Sequence, residues 1–202
     1  MPEAISGVAS PKFEKPSWYQ KQIEAEKAKT RVIKTSKPTS SVVTYTVSAK
    51  GSVSSSLAEF SQQVNQTLND SRGWAQLGVS FREVSNGGRF NLILSEASLL
   101  PSFSSGCDVE WSCRVGASVI INDKRWSSAS QAWNSSGGSL RDYRHMVINH
   151  EVGHWLGHGH RNCSAGGQLA PIMQQQSMNL QGCSFNPWPL TSELWSTQLG
   201  IR

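Results

Sequence analysis

The chain has 202 residues, 37% of them hydrophobic and 16% charged, with a formal charge of +5. This length supports one domain with its own apolar core plus a tail, and no stretch approaches the roughly 20 consecutive apolar residues of a membrane-spanning helix. Residues 1–40 carry eight Lys or Arg against four Glu, so most of the positive charge lies there; the near-neutral remainder argues against a nucleic-acid-binding domain.

Residues 1–40 are rich in Lys, Ser, Thr and Pro and read as a disordered basic linker or tail, able to associate with an anionic cell envelope. Their composition favours a short helix over about Pro16–Arg31. The domain, 41–202, opens with a strand at Val42, Val43, Tyr45 and Val47. Ser54 or Ser55 then caps a helix whose Leu57, Phe60, Val64 and Leu68 recur at spacings of three and four, ending near Gly73. Two strands follow, about Val79–Val84 and Phe90–Ser95. The Asn86-Gly87-Gly88 turn between them suits a hairpin.

A Cys107–Cys113 loop leads to a fourth strand over Ala117–Asn122. Trp126 and Trp133 occupy a polar connection and are expected in the core. Ser139 and Asp142 have the spacing of a capping box, which opens a helix over about Leu140–Leu156. This helix is apolar on two sides, so it is expected to lie centrally with its histidines indoors.

Four cysteines occur, Cys107, Cys113, Cys163 and Cys183, with no Cys-x-x-Cys pair. Disulfides are the expected reading, and proximity favours Cys107 with Cys113 and Cys163 with Cys183, the other two pairings staying open. Disulfides imply an oxidising compartment. Met1-Pro2-Glu3 has neither the basic start nor the apolar core of a signal peptide, so an export signal is expected upstream of this sequence.

All five histidines fall between His145 and His160. His150 and His154 point the same way one helical turn apart, and Glu151 flanks that face, placed to take a proton from a metal-activated water. A catalytic zinc takes three protein ligands and keeps one position open. His160 supplies the third ligand if the helix stops and the chain turns at Gly157. His158 is the nearest alternative ligand and is expected either to face away or to stand behind the ligands, because it falls within the turn made by Gly157 and Gly159; His145 lies off the face of His150.

The segment His150-Glu151-Val152-Gly153-His154-Trp155-Leu156-Gly157-His158-Gly159-His160 resembles the elongated zinc motif of the metzincin metallopeptidases at every specified position. The resemblance gives Met173, in Pro171-Ile172-Met173-Gln174, the role of the clan's Met-turn. Gln175 stands where some members carry a Tyr, so no tyrosine ligand is assigned.

The wider pattern comprises Tyr143-Arg144, Cys163, Ile172 to Gln176, Gln181-Gly182-Cys183 and Asn186-Pro187-Trp188-Pro189. It resembles a family of secreted actinobacterial proteins with a metzincin-like domain, over roughly residues 42–190. The resemblance implies an α+β fold. A twisted, mostly parallel sheet with two long helices would form an upper subdomain (about 41–157), with a small irregular lower subdomain (about 158–202) and a cleft between.

The expected function is that of a zinc-dependent endopeptidase with Glu151 as general base, secreted or held at the cell envelope and monomeric. Rival readings are an amide hydrolase of cell-wall peptides and a non-catalytic zinc-bearing binding module.

Overall fold

The computed structural model describes residues 41–202; the linker and the helix expected over Pro16–Arg31 lie outside the described residues. The chain forms β1 (Ser41–Lys50), α1 (Leu57–Leu68), β2 (Val79–Glu83), β3 (Phe90–Ser95), β4 (Cys113–Val115) and β5 (Ser118–Asn122). Then come α2 (Asp123–Ser128), α3 (Gln131–Ser135) and α4 (Leu140–Leu156). The strands make one five-stranded sheet in the order β2-β1-β3-β5-β4, in which β4 alone is antiparallel. The fold is a mixed α and β arrangement with a mostly parallel sheet, as expected.

The hairpin expected at Asn86-Gly87-Gly88 does not form. β2 and β3 are both parallel to β1 and lie on either side of it. The connection is short because the two strands are offset: β2 pairs with the first half of β1 as far as Tyr45, and β3 begins its pairing at Tyr45. The loop therefore only steps across β1. Val84 N–H donates to the Tyr45 carbonyl and Arg89 N–H to the Thr44 carbonyl, each at 2.8 Å. Gly88 passes so close that a Cβ there would stand 2.8 Å from Thr46 N and Tyr45 C.

α1 is capped by Ser56, whose hydroxyl accepts from Glu59 N–H, rather than by Ser54 or Ser55. Those two serines are engaged by Asp123: Ser54 donates its N–H and hydroxyl, and Ser55 its N–H, to that carboxylate. Burial pushes the Asp123 carboxyl up, but these hydrogen bonds outweigh it and hold the group below its ordinary value. α1 ends at Leu68, short of Gly73, because the Asn69 side chain turns to the backbone of Phe81 instead of extending the helix. Leu57, expected on the buried face, is 39% exposed, and Thr67 is buried in the helix's last turn.

The sequence reading missed β4, which joins β5 through a two-residue turn at Gly116-Ala117. It also missed α2 and α3, which carry Trp126 and Trp133 into the core as expected. α4 has the expected bounds. The Ser139 hydroxyl accepts from Asp142 N–H, while the Asp142 carboxylate accepts from that hydroxyl. Nearly every residue from Tyr143 to Leu156 is buried, since the helix lies between the sheet and the polypeptide that follows it.

Residues 158–202 contain one 3₁₀ turn, Thr191–Glu193, and two isolated bridges. Buried side chains there do the work of a hydrogen-bond ladder. Gln176 donates to the carbonyls of Pro171 and Asn186 and accepts from Asn186 N–H. Asn186 donates to Ala170 and Trp188. Disulfides join Cys107 to Cys113 and Cys163 to Cys183 with Cα atoms 5.8 Å apart in each, the pairing that sequence proximity favours.

The crossing over β1 makes a prediction. A Cβ at residue 88 meets backbone, which cannot swing aside, so Gly88→Ala is expected to lower stability by about 2 kcal/mol, within the range of overpacked cores. Urea denaturation checks it, and an unchanged midpoint would contradict the close crossing.

Candidate metal centre

α4 presents His150 and His154 one turn apart and ends on Gly157, whose φ of 108° lies in the left-handed region. His158 N–H closes the helix on the Gly153 carbonyl, and Arg161 N–H then docks on the Met173 carbonyl, each at 3.0 Å. Between these two anchors the chain returns His160 toward the helix. One ligand atom from each of His150, His154 and His160 lies within 4.8 Å of the others, so the three form a cluster that could hold a metal ion.

Two of the rings are oriented by backbone carbonyls. His150 Nδ1 is 2.8 Å from the Ile172 oxygen and His154 Nδ1 is 2.9 Å from the His158 oxygen. A carbonyl only accepts, so each ring carries its hydrogen on Nδ1 and presents the lone pair of Nε2. His154 Nε2 and His160 Nε2 are 3.1 Å apart. Tetrahedral nitrogen ligands about 2.0–2.1 Å from a zinc ion would stand roughly 3.3 Å apart, so the donor set fits such an ion. His160 is exposed at the mouth, leaving solvent access on that side.

The sequence reading missed the group that fixes this arrangement from below. Glu193 is fully buried, and its carboxylate accepts from Ile172 N–H, Met173 N–H and Leu190 N–H at 2.9, 3.1 and 2.9 Å. The Ile172–Met173 peptide thus donates its N–H to Glu193 while its carbonyl accepts from His150. A carboxylate is linked to a candidate ligand through one polarised amide. Nothing in the sequence near Glu193 marked it.

Met173 is buried against the underside of α4, where a Cβ at Gly153 would overlap its sulfur. Gly153, an unspecified position of the motif, is therefore set by packing. Tyr143 joins helix to lower segment through Ser177 Oγ at 3.0 Å, and Arg144 donates to the Trp126 carbonyl while lying over its ring.

The other two histidines are elsewhere. His158 packs against Trp74 and Trp195 and pairs with the Trp195 carbonyl, as expected of a residue facing away. His145 hydrogen-bonds the Thr67 hydroxyl and lies against Trp188.

Beside the triad is a cleft of about 310 Å³. Its upper wall runs from Gly106 to Arg114, its lower wall from Gln175 to Met178, and its floor is α4 with Glu151. Burial holds the His150 imidazole down to about 3, helped by the neighbouring His154 and His160, and burial also lowers His154 and His160. The rings are neutral and ready to ligate at physiological pH. Burial pushes the Glu151 carboxyl up to about 8 against a small opposing pull from Arg114. A dication on the imidazoles would bring it back down.

Over residues 20–191 the chain matches the model of the family described as "Protein of unknown function (DUF3152)", and it belongs to that family. A search of curated proteins finds no match. Among solved structures, the chain is similar to archaemetzincin from Methanopyrus kandleri at 12% identity and a TM-score of 0.44, over 75% of this chain and 91% of that one.

Two predictions follow from the geometry and the charges. Glu193→Gln keeps the shape but sets an amide N–H₂ against one of three N–H donors, so its affinity for added zinc is expected to fall by at least about tenfold. Chelator competition measures this, and an unchanged affinity would confine Glu193 to holding the lower segment. The second concerns Glu151. Its folded value of about 8 lies above the ordinary 4.5, so its contribution to stability is full below 4.5 and is lost as pH rises through 8. Metal-free Glu151→Gln is expected to melt at least about 3 °C above metal-free wild type at pH 8, the effect of roughly one kcal/mol in a domain of this size. The difference should vanish toward pH 4.5; equal melting temperatures at pH 8 would mean the carboxylate is solvated.

Proposed function

We propose that this member of the family is a zinc-dependent endopeptidase, in which His150, His154 and His160 hold the metal and Glu151 is the general base. The observation that carries the reading is the convergence of three imidazoles, two of them oriented by backbone carbonyls, beside one buried carboxyl group in an open cleft. Zinc bound there would polarise a scissile carbonyl and acidify the attacking water. Glu151 takes the proton of that water and returns it to the leaving amine nitrogen, which keeps the carboxylate's net charge unchanged over the reaction. The cleft walls hold an extended peptide across the helix. Gln175 stands where some metzincins carry a tyrosine, so no tyrosine role is proposed there.

The domain proposed for this activity is residues 41–202, with the sheet and α4 above the cleft and the segment after Gly157 below it. Two disulfides are compatible with an extracellular or envelope-held protein. Among the described residues no helix is long and apolar enough to cross a membrane. We propose a monomer acting on peptide or protein substrates.

The test is zinc content by elemental analysis, with cleavage of a fluorogenic peptide library by wild type and Glu151→Ala. One zinc per chain in both, with turnover in wild type and at least about a hundredfold less in the variant, is the expected result. Undiminished turnover by Glu151→Ala would remove the general base. Zinc in both with no peptide cleaved would favour a cell-wall amide hydrolase if peptidoglycan fragments are cut, and a binding module if they are not.

A further inference from the structure

The cleft wall carries a cation that the reaction proposed above leaves unused. Side chains alternate along β4. Cys113 and Val115 pack with Leu100, Cys107 and Ile120 in a small apolar cluster on one face of the sheet. Arg114 therefore stands on the other face, paired across the strands with Val119, which belongs to the main core that includes α4. This is the face on which the triad lies, and Arg114 lines the cleft together with Glu151, His154 and His160.

Among the described residues no carboxylate is paired with Arg114, and its hydrogen bond to the Gly116 carbonyl is long, at 3.4 Å. The contrast is Arg125, held by Glu110 and lying over the Trp111 ring. Asp108, the acid on the same wall, is turned into its own loop and accepts from Glu110 N–H and Trp111 N–H. No other Lys or Arg lines the cleft among the described residues, and the lower wall, from Gln175 to Met178, is uncharged. An unpaired guanidinium offers a planar fork of donors that matches a carboxylate with two parallel hydrogen bonds.

We propose that Arg114 forms a carboxylate-binding subsite, so that the cleft selects peptides bearing a carboxylate close to the scissile bond. This inference rests on the peptidase reading for its consequence but not for its binding. The carboxylate is an acidic side chain or a free C-terminus; the subsite chemistry is the same, and the test separates them.

Zinc-loaded protein is assayed with internally quenched peptides in which Glu or Gln is walked along an amidated scaffold, and with a neutral scaffold whose C-terminus is free or amidated. For wild type, kcat/KM is expected to favour the carboxylate form by at least about tenfold at one position. That ratio should fall to about one in Arg114→Ala, invert in Arg114→Glu and be partly retained in Arg114→Lys. A gain at an internal position identifies an acidic side chain, and a gain confined to the free C-terminus identifies a terminal carboxylate. Equal cleavage of paired peptides by wild type, or a preference that survives Arg114→Ala, overturns the proposal.

Fluorescence polarisation of the same peptides with zinc-loaded Glu151→Gln gives a readout without turnover. If wild type cleaves nothing while Glu151→Gln binds carboxylate peptides more tightly than their amide partners, and loses this on adding Arg114→Ala, the peptidase reading fails and the subsite stands. Equal binding of the paired peptides removes the subsite.

Discussion

The hydrogen bond from His150 Nδ1 to the Ile172 carbonyl fixes a candidate ligand of the central helix to the irregular polypeptide beneath it. Above it α4 is capped at Ser139 and Gly157 and buried along most of the stretch from Tyr143 to Leu156. Below it lies a segment with almost no regular structure, whose backbone polar groups still need partners when buried. Glu193 resolves both demands, because three N–H groups converge on its carboxylate and one of them belongs to the peptide that His150 contacts. The triad geometry thus depends on how well the lower segment is held. The far end of the helix is held in the same way: Leu156 O accepts from the Ser196 hydroxyl, and Gly157 fits closely against Thr197.

What the sequence discloses follows how local the cause is. The bounds of α4 are legible because a Ser cap and a left-handed Gly end it, both within one turn of the residues they act on. The spacing of His150, His154 and His160 is legible for the same reason, and their convergence depends on the local turn at Gly157. The pairing of β2 and β3 is not legible from Asn86-Gly87-Gly88, because those residues allow a tight turn without specifying what lies beside it. The deciding fact is that β3 starts level with the end of β2 on opposite sides of β1, a register between residues about forty apart in sequence. Glu193, Gln176 and Asn186 are ordinary polar residues by composition. They are buried because unpaired backbone groups await them, a condition that exists only once the fold is formed.

The electrostatics of the centre have one direction. Burial favours neutral forms of all its groups, holding the imidazoles unprotonated and the Glu151 carboxyl protonated near neutral pH. Neutral imidazoles are what a dication requires. A protonated Glu151 is not what a general base requires, and the same dication corrects it by favouring the carboxylate. Metal binding and ionisation of Glu151 are therefore coupled, and loading should release a proton near neutral pH. In the reaction proposed above, the ion would thereby create the base it needs.

Both cleft walls are poor in regular structure, and each is tied by a disulfide. Cys107–Cys113 closes the loop that carries Asp108 and Trp111 and leads into Arg114, and Cys163–Cys183 closes the segment that carries Met173 and residues 175–178. Segments with so little regular structure gain much conformational freedom by opening. Cross-links shift that balance, by about 3 kcal/mol for a loop near 20 residues in the chain-entropy model. The walls can then stay irregular, with side chains such as Arg114 and Ser177 turned toward the cleft, and still hold their position against α4. The helix supplies the fixed points of the centre, and the cross-linked walls shape the cleft beside them.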